Sequence, residues 1–363
     1  MHARFNILNF VSTLDIKIKK VEQSYLPNID FSKIQFGKVY SDHMLMADYV
    51  DGQWTNTSIV PYQKLKLSPG NFTLHYGQSV FEGLKAYRGD NGDVLVFRPF
   101  DNFKRINKSA KRMCMPEIPK EIFMDGLCEL LKLDRAWVPD LDSASLYIRP
   151  FMFGTDEYIG IKPSDTYKFV IFTCPVGSYY KEALKVRIEQ EYVRAAKGGT
   201  GFAKAAGNYA ASLLPAHRAM REGYQQLIWT DSITHERIEE SGTMNLMFII
   251  NDTIVTPKTG DTILKGITRD SVLTIARDWG VKVEERDITV SEVIESIKNG
   301  KMTEAFGTGT AAVIAHIKAI GYNGDDYNLP TIPADSISNK LLHYLHALYR
   351  GRAEDKYNWL LHI

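Results

Sequence analysis

With 363 residues, 44% of them hydrophobic and 24% charged, the chain has an ordinary globular composition and is long enough for two cores. A net charge of +1 supplies no global field for nucleic acid or an anionic membrane surface, and no apolar run is long enough to cross a bilayer. Cys114, Cys128 and Cys174 lack paired spacing and the nine histidines are scattered, which argues against a disulfide framework or a metal site and suits a reducing cytoplasm.

In residues 1–20, Asn6 and Asn9 interrupt the apolar run and no small-residue cleavage site follows. Residues 1–35 therefore read as an N-terminal extension, not a secretory signal. A strand is expected over 36–50, turned back at Asp51-Gly52 into a second strand over 53–61. The run 72–88, which holds Tyr76 and Phe81-Glu82-Gly83-Leu84-Lys85, predicts a short helix and then a strand. Gly89-Asp90-Asn91-Gly92 is a turn, and 94–97 a strand. Asp101 opens a helix over 102–113 with Phe103, Ile106 and Ala110 on one face and Arg105 along it. A second helix is expected over 120–138, ending before Pro139. Residues 145–153 and 168–173 read as apolar strands. The first carries Tyr147 and Arg149, and an arginine in such a strand is either paired or aimed into a site.

Pro175-Val176-Gly177-Ser178-Tyr179-Tyr180 breaks the pattern and reads as a linker. A strand over 185–191 and Arg194 then lead into the glycine-rich run 198–209, with Lys204 at its centre. No acidic residue lies between Glu191 and Glu222. A lysine in such an acid-poor setting suits Schiff-base chemistry, which needs an amine nucleophile. A helix then runs to Arg221, with Pro215 in its first turn or kinking it, followed by a strand over 226–230. In 238–250 a carboxylate pair, Glu239-Glu240, precedes a small-residue turn, Ser241-Gly242-Thr243, and a buried strand. A hairpin at Asn251-Asp252 leads to a strand over 253–257. Amphipathic helices are expected after Gly266 (ending near Gly280), over 290–299 and over 336–349. Residues 305–313 read as a strand, a glycine turn and an apolar run. The divisions this suggests are 1–35 as extension, 36–175 as a small α/β domain, 176–185 as interdomain loop and 186–363 as a large cofactor-binding domain.

Two of these segments suit a phosphate. The helix after Gly266 offers backbone N–H groups at Ile267 and Thr268 together with the Thr268 hydroxyl. The Gly307-Thr308-Gly309-Thr310 run offers a second set of donors. Arg105 would add a bidentate cation. A lysine, a carboxylate and phosphate-type cradles together point to pyridoxal 5'-phosphate, whose ring nitrogen stays protonated beside an anion.

Phe81-Glu82-Gly83-Leu84-Lys85, Arg105, Tyr147-Ile148-Arg149-Pro150, Lys204 with Gly207-Asn208-Tyr209, Glu240-Ser241-Gly242-Thr243-Met244-Asn245, Gly266-Ile267-Thr268-Arg269 and Gly307-Thr308-Gly309-Thr310 occur in the order seen in branched-chain amino acid aminotransferases. The chain resembles that family from about Phe36 to its C-terminal end. The resemblance implies a two-domain, mixed α+β and α/β fold of the fold-type IV pyridoxal-phosphate class, similar to D-amino acid aminotransferase, with the cofactor at the domain interface. It implies that Lys204 binds the cofactor and moves the substrate proton, that Glu240 meets the pyridine nitrogen and that Tyr209 meets the phenolic oxygen. Arg105, Ile267, Thr268 and Thr310 would hold the phosphate, with Arg194 and Thr243 also at the cofactor. The substrate carboxylate would rest on the N–H groups of Thr310 and Ala311 with Tyr76 of the partner subunit. Phe36, Phe81, Tyr147 and the partner's Ile161 would wall the side-chain pocket, and Tyr179 would cover its entrance.

The implied reaction moves the amino group of L-leucine, L-isoleucine or L-valine to 2-oxoglutarate in two half-reactions, in a homodimer with shared active sites and with no nucleic acid or membrane as partner. An apolar pocket cannot hold the glutamate carboxylate unpaired. Tyr147 and Arg149 share one side of their strand and are the expected partners of that group. Another fold-type IV activity, D-amino acid aminotransferase or aminodeoxychorismate lyase, is the alternative, and a cofactor-binding regulator without catalysis is a second. Mammalian members carry a Cys-x-x-Cys pair after the glycine turn. Ala312 and Ala315 stand there in this sequence, so that redox switch is not expected.

Overall fold

The computed structural model describes residues 14–177, 179–180 and 182–363. The first thirteen residues of the expected extension, and Ser178 and Lys181 of the expected interdomain loop, lie outside the described residues. The chain divides into two compact units, Met1–Gly177 with Leu360–Ile363, and Ser178–Trp359. Both pair helices with largely antiparallel sheets, the α+β side of the expected fold class.

The first unit contains β1 (Lys17–Ile18), β2 (His43–Val50), β3 (Gln53–Pro61), α1 (Phe72–Tyr76), β4 (Ser79–Phe81), β5 (Leu84–Arg88), β6 (Val94–Phe97), α2 (Pro99–Arg112), α3 (Gly126–Leu133), β7 (Ser145–Gly154) and β8 (Tyr167–Val176). Its strands form one sheet in the order β1-β3-β2-β8-β7-β5-β6, completed by the last strand of the chain, Leu360–His362, while β4 pairs with β7. Asp51 and Gly52 close the β2–β3 hairpin with φ of 51° and 77°, the two left-handed positions that a tight hairpin needs and that Asp-Gly supplies at low cost.

Four local expectations change, the first being that the strand expected over 36–50 begins only at His43. Helix α2 starts at Pro99, three residues before the predicted 102, because proline is pre-organised for the first helical turn. The predicted helix over 120–138 is three pieces: a π-helical turn at Glu121–Asp125, α3, and a 3-10 turn at Arg135–Trp137. Strand β8 runs through Pro175 and Val176, which the sequence suggested were linker. Pro175 pairs with Leu146 of β7 alone, since the pairing with β2 ends at Phe172, and proline is tolerated where a strand has become an edge.

The second unit contains β9 (Leu184–Ile188), α4 (Ala206–Ala210), α5 (Leu213–Arg221), β10 (Gln226–Thr230), β11 (Ile238–Ser241), β12 (Met244–Ile250), β13 (Thr253–Thr256), α6 (Ile267–Asp278), β14 (Val283–Glu285), α7 (Val290–Lys298), β15 (Met302–Gly309), β16 (Val313–Tyr322), β17 (Asp325–Asn328) and α8 (Ile337–Tyr349). The strand order β11-β10-β9-β16-β15-β12 closes on itself, because β11 also pairs with β12. Closure removes the free edges of these six strands and fixes their registers. Val186, Ile228, Leu246, Phe248, Ile317 and Ile320 are among the residues buried in its core. Pro215 lies in the first turn of α5. Gly307 and Gly309 belong to β15 and not to a turn, so the reversal falls at residues 310–312. The final strand, β18 (Leu360–His362), leaves this unit and pairs with β6.

Candidate active site

In the second unit, Lys204 follows the glycine run and precedes α4. Its Nζ donates to the Tyr209 Oη at 2.8 Å, an amine and a phenol held together by one turn of chain. Gly201 lets this loop sit tight against its neighbours. A Cβ there would stand 2.5 Å from the Ala195 Cβ and 2.8 Å from both the Asp261 carbonyl oxygen and the Thr262 Cα, distances that force something to move.

Glu240 is 4% exposed. One carboxylate oxygen accepts from the Leu264 N–H at 2.9 Å. The other lies 3.0 Å from Arg194 Nε, but that N–H is not aimed at it, so the contact is an ion pair and not a hydrogen bond. Arg194 Nη2 donates to the Gly201 carbonyl at 2.9 Å and to the Thr262 carbonyl. One buried guanidinium thus ties together the lysine loop, the 261–264 loop and Glu240. Arg194, Tyr209, Glu240 and Thr243 line one cleft with Asn208, Ser212, Asn245 and Leu264.

Ring closure carries this order outward. Glu240 pairs with Asn245, and Asn245 with Thr308. Thr310 and Ala311 follow at the end of β15. Asn245 Nδ2 donates to the Leu264 carbonyl at 2.9 Å, and a Cβ on Gly266 would stand 2.0 Å from Asn245 Oδ1. Only glycine fits that approach, which seats the N-terminus of α6, with Ile267 and the buried Thr268, beside Asn245. The first-turn N–H groups of such a helix have no acceptor inside it and favour an anion.

In the first unit a second group assembles. The Phe36 and Tyr147 rings meet edge to face at 5.1 Å. Arg149 Nη2 donates to the Tyr147 Oη at 2.9 Å, and its guanidinium lies 4.7 Å from the Phe81 ring centroid. Phe36, Phe81, Tyr147 and Arg149 are therefore one wall. Tyr76 donates to the Ile159 carbonyl at 2.6 Å and packs on Phe72. Among the described residues its bonds and ring contacts do not reach that wall. Ile161, 89% exposed, and Ile159, 70% exposed, are in the same segment.

Arg105, on α2, has Nε 2.6 Å from one oxygen of Glu82 and Nη2 2.8 Å from the other. Glu82 is fully buried and also accepts from Asn102 Nδ2 and from the Gly83 N–H, so one edge of the guanidinium is fixed in place. Sequence reasoning assigns Glu82 no role, although an acid inside the apolar run Phe81–Leu84 signals a buried partner cation. It passes over Lys85 as well. That lysine pairs across the sheet with Tyr147, and burial pulls its ammonium down to about 8.

Among the described residues no cluster of His, Cys, Asp and Glu could hold a metal ion, and no helix is long and apolar enough to cross a membrane.

The pattern of the class IV amino-transferase family matches residues 79–320. Branched-chain-amino-acid aminotransferase 2 of Bacillus subtilis is 43% identical over 93% of this chain and 94% of its own length. Among solved structures, the branched-chain aminotransferase of the archaeon Thermoproteus uzoniensis with norvaline is 27% identical, with a TM-score of 0.72 over 88% of this chain and 99% of that one. The branched-chain amino acid aminotransferase of Escherichia coli is 28% identical, with a TM-score of 0.70 over 88% and 98%. The chain belongs to the branched-chain-amino-acid aminotransferases, within the class IV amino-transferase family.

Proposed function

We propose that this protein reversibly transfers the amino group of L-leucine, L-isoleucine or L-valine to 2-oxoglutarate, giving the 2-oxo acid and L-glutamate, with pyridoxal 5'-phosphate as cofactor. The observation that carries the reading is the Lys204 amine against the Tyr209 phenol in a unit where a buried carboxylate, Glu240, is held by Arg194 and the Leu264 N–H. That donor set fits the cofactor: an amine for its aldehyde, a phenol for its phenolic oxygen and an anion for its ring nitrogen. Bound there, the cofactor supplies an acceptor for the amino group and an electron-withdrawing ring.

The chain's own residues do the rest. Lys204 would carry the proton from the substrate Cα to the cofactor carbon that receives the amino group, and the reverse in the second half-reaction. Glu240 keeps the proton on the ring nitrogen, and Tyr209 orients the phenolic oxygen. The N–H groups of Ile267 and Thr268, with the Thr268 and Thr310 hydroxyls, bind phosphate. Arg105 is assigned to phosphate on the family resemblance. Thr243 borders the cofactor cleft, and Thr310 and Ala311 offer N–H groups to the substrate carboxylate.

Phe36, Phe81 and Tyr147 exclude water around the branched side chain. Arg149 meets the distal carboxylate of glutamate, a role supported by its hydrogen bond to Tyr147 beside an aromatic wall. Arg149→Met is expected to raise KM for 2-oxoglutarate about 10- to 100-fold, the value of one hydrogen bond to a charged group, with leucine kcat/KM little changed. Equal losses for both substrates would rule that role out.

Tyr76 and Ile161 are assigned to the site of a second copy in a homodimer, an assignment supported by the exposure of Ile159 and Ile161. Cys114, Cys128 and Cys174 are all free, which fits a cytoplasmic setting.

The reading is tested by the visible absorption of protein loaded with pyridoxal 5'-phosphate. L-Leucine should bleach the band and 2-oxoglutarate should restore it. A band indifferent to leucine but bleached by D-alanine would assign the chain to a different fold-type IV activity.

A further inference from the structure

Glu82 sits at a break in the sheet of the first unit. Phe81 closes β4 opposite Phe151, and Leu84 opens β5 opposite Ile148. Between them the Glu82 N–H donates to the Pro150 carbonyl at 2.7 Å, and proline has no N–H to return. Strand pairing lapses over Glu82 and Gly83, which form a corner. The corner is held from two sides. The Tyr147 Oη stands 2.1 Å from where a Cβ on residue 83 would be, and the Gly83 N–H donates to the Glu82 carboxylate at 3.1 Å.

Helix α2 supplies the other donors. Asn102 and Arg105 are three residues apart and so share one face of it. Asn102 Nδ2 reaches one Glu82 oxygen at 2.7 Å, and Arg105 spans both oxygens at 2.6 and 2.8 Å. The Glu82 side chain is fully buried and that of Arg105 is 12% exposed. A buried ion pair is often no better for the fold than an apolar pair of similar volume. What two parallel bonds to one carboxylate do supply is direction, because they fix the plane and heading of the guanidinium.

We propose that Glu82 is a positioning residue for the cofactor: from a corner that the sheet fixes, it holds Arg105 in the orientation that binds the phosphate. This rests on the proposed assignment of Arg105 to that phosphate. An arginine already ordered gives up little side-chain freedom when an anion arrives. Glu82 also subtracts from the positive charge that the phosphate meets. The two effects oppose each other, and the geometry favours the first. Without the carboxylate the guanidinium loses both bonds that point it, and a displaced guanidinium donates nothing to the phosphate.

The test titrates full-length apoprotein with pyridoxal 5'-phosphate and with pyridoxal, which lacks the phosphate. Glu82→Gln should weaken pyridoxal 5'-phosphate about tenfold and leave pyridoxal within about twofold. Arg105→Met should show the same selectivity at about 10- to 100-fold. Adding Glu82→Gln to it should cost nothing more, because Glu82 acts through that arginine. Glu82→Asp, which keeps the carboxylate, should recover part of the selectivity. Glu82→Gln strands a buried cation; should it fail to fold, Arg105→Lys decides. Lysine keeps the charge but cannot bond both carboxylate oxygens in one plane, so it should lose pyridoxal 5'-phosphate about tenfold against pyridoxal. Equal losses of both ligands in Glu82→Gln would mark a merely structural role and overturn the proposal. Tighter pyridoxal 5'-phosphate binding by Glu82→Gln, or wild-type binding by Arg105→Lys, would do the same, since charge and not heading would then govern. If Arg105→Met binds pyridoxal 5'-phosphate as wild type does, the assignment of Arg105 fails and this inference with it. If Arg105→Met loses affinity and Glu82→Gln does not, only the role of Glu82 fails.

Discussion

Lys204→Ala is expected to lower the turnover of L-leucine with 2-oxoglutarate by about 10⁴-fold or more, the upper range for loss of a positioned acid–base group that is here also the amine for the cofactor aldehyde. The substitution removes the Nζ that donates to Tyr209 Oη at 2.8 Å and leaves Glu240 and Arg194 in place. Cofactor should still bind, without the visible band of its lysine-linked form. A small primary amine such as methylamine should recover part of the rate by carrying the proton that Lys204 carries. The measurement is the steady-state rate with and without added amine, beside the spectrum. A variant that keeps more than about a hundredth of wild-type turnover would remove Lys204 from the role of proton carrier.

Arg194→Met should be the more damaging change to the fold. The Arg194 side chain is 7% exposed and that of Glu240 6%, and Glu239 lies beside them. Breaking a buried ion pair from one side costs about 3–5 kcal/mol, because the remaining charge is stranded. In this protein Glu240 would lose its cation, and the Gly201 and Thr262 carbonyls their donor.

The pH dependence carries the signature. Without the guanidinium, Glu239 and Glu240 repel each other in a poorly solvated place, so both carboxyls are raised in the folded state. Groups raised in this way favour the fold at low pH and destabilise it as pH rises through their folded values. Chemical denaturation of apoprotein should therefore show a larger deficit at pH 8 than at pH 5. A deficit below about 1 kcal/mol, within reach of an ordinary surface substitution, or one independent of pH, would mean that the charge of Arg194 is not what holds the loops together.

Much of this site is legible in the chain. The acid-poor glycine run isolates Lys204, the Glu240–Asn245 stretch announces a buried carboxylate before a turn and strand, and Asp51-Gly52 fixes a hairpin. These are local signals in which composition and spacing carry the chemistry. The departures are local too. Pro99 starts a helix that was expected to open later, and Pro175 lies in the edge part of a strand where a linker was expected, because proline is limited only where its missing N–H is needed.

What the sequence determined by itself was the family, the two-part organisation of strands and helices, and Lys204, Tyr209 and Glu240 as candidates for one chemistry. What only the tertiary structure decided was which partners those residues meet. Arg105 against Glu82 spans 23 residues and Arg194 against Thr262 spans 68. The closure of β11 on β12 sets the row Glu240–Asn245–Thr308, and β18 returns to pair with β6 far earlier in the chain. The bulge at Glu239 and Glu240 is a mismatch between two strands. Periodicity reports how a segment relates to itself, whereas register, bulges and buried charge pairs arise between segments and exist only once the chain has closed on itself.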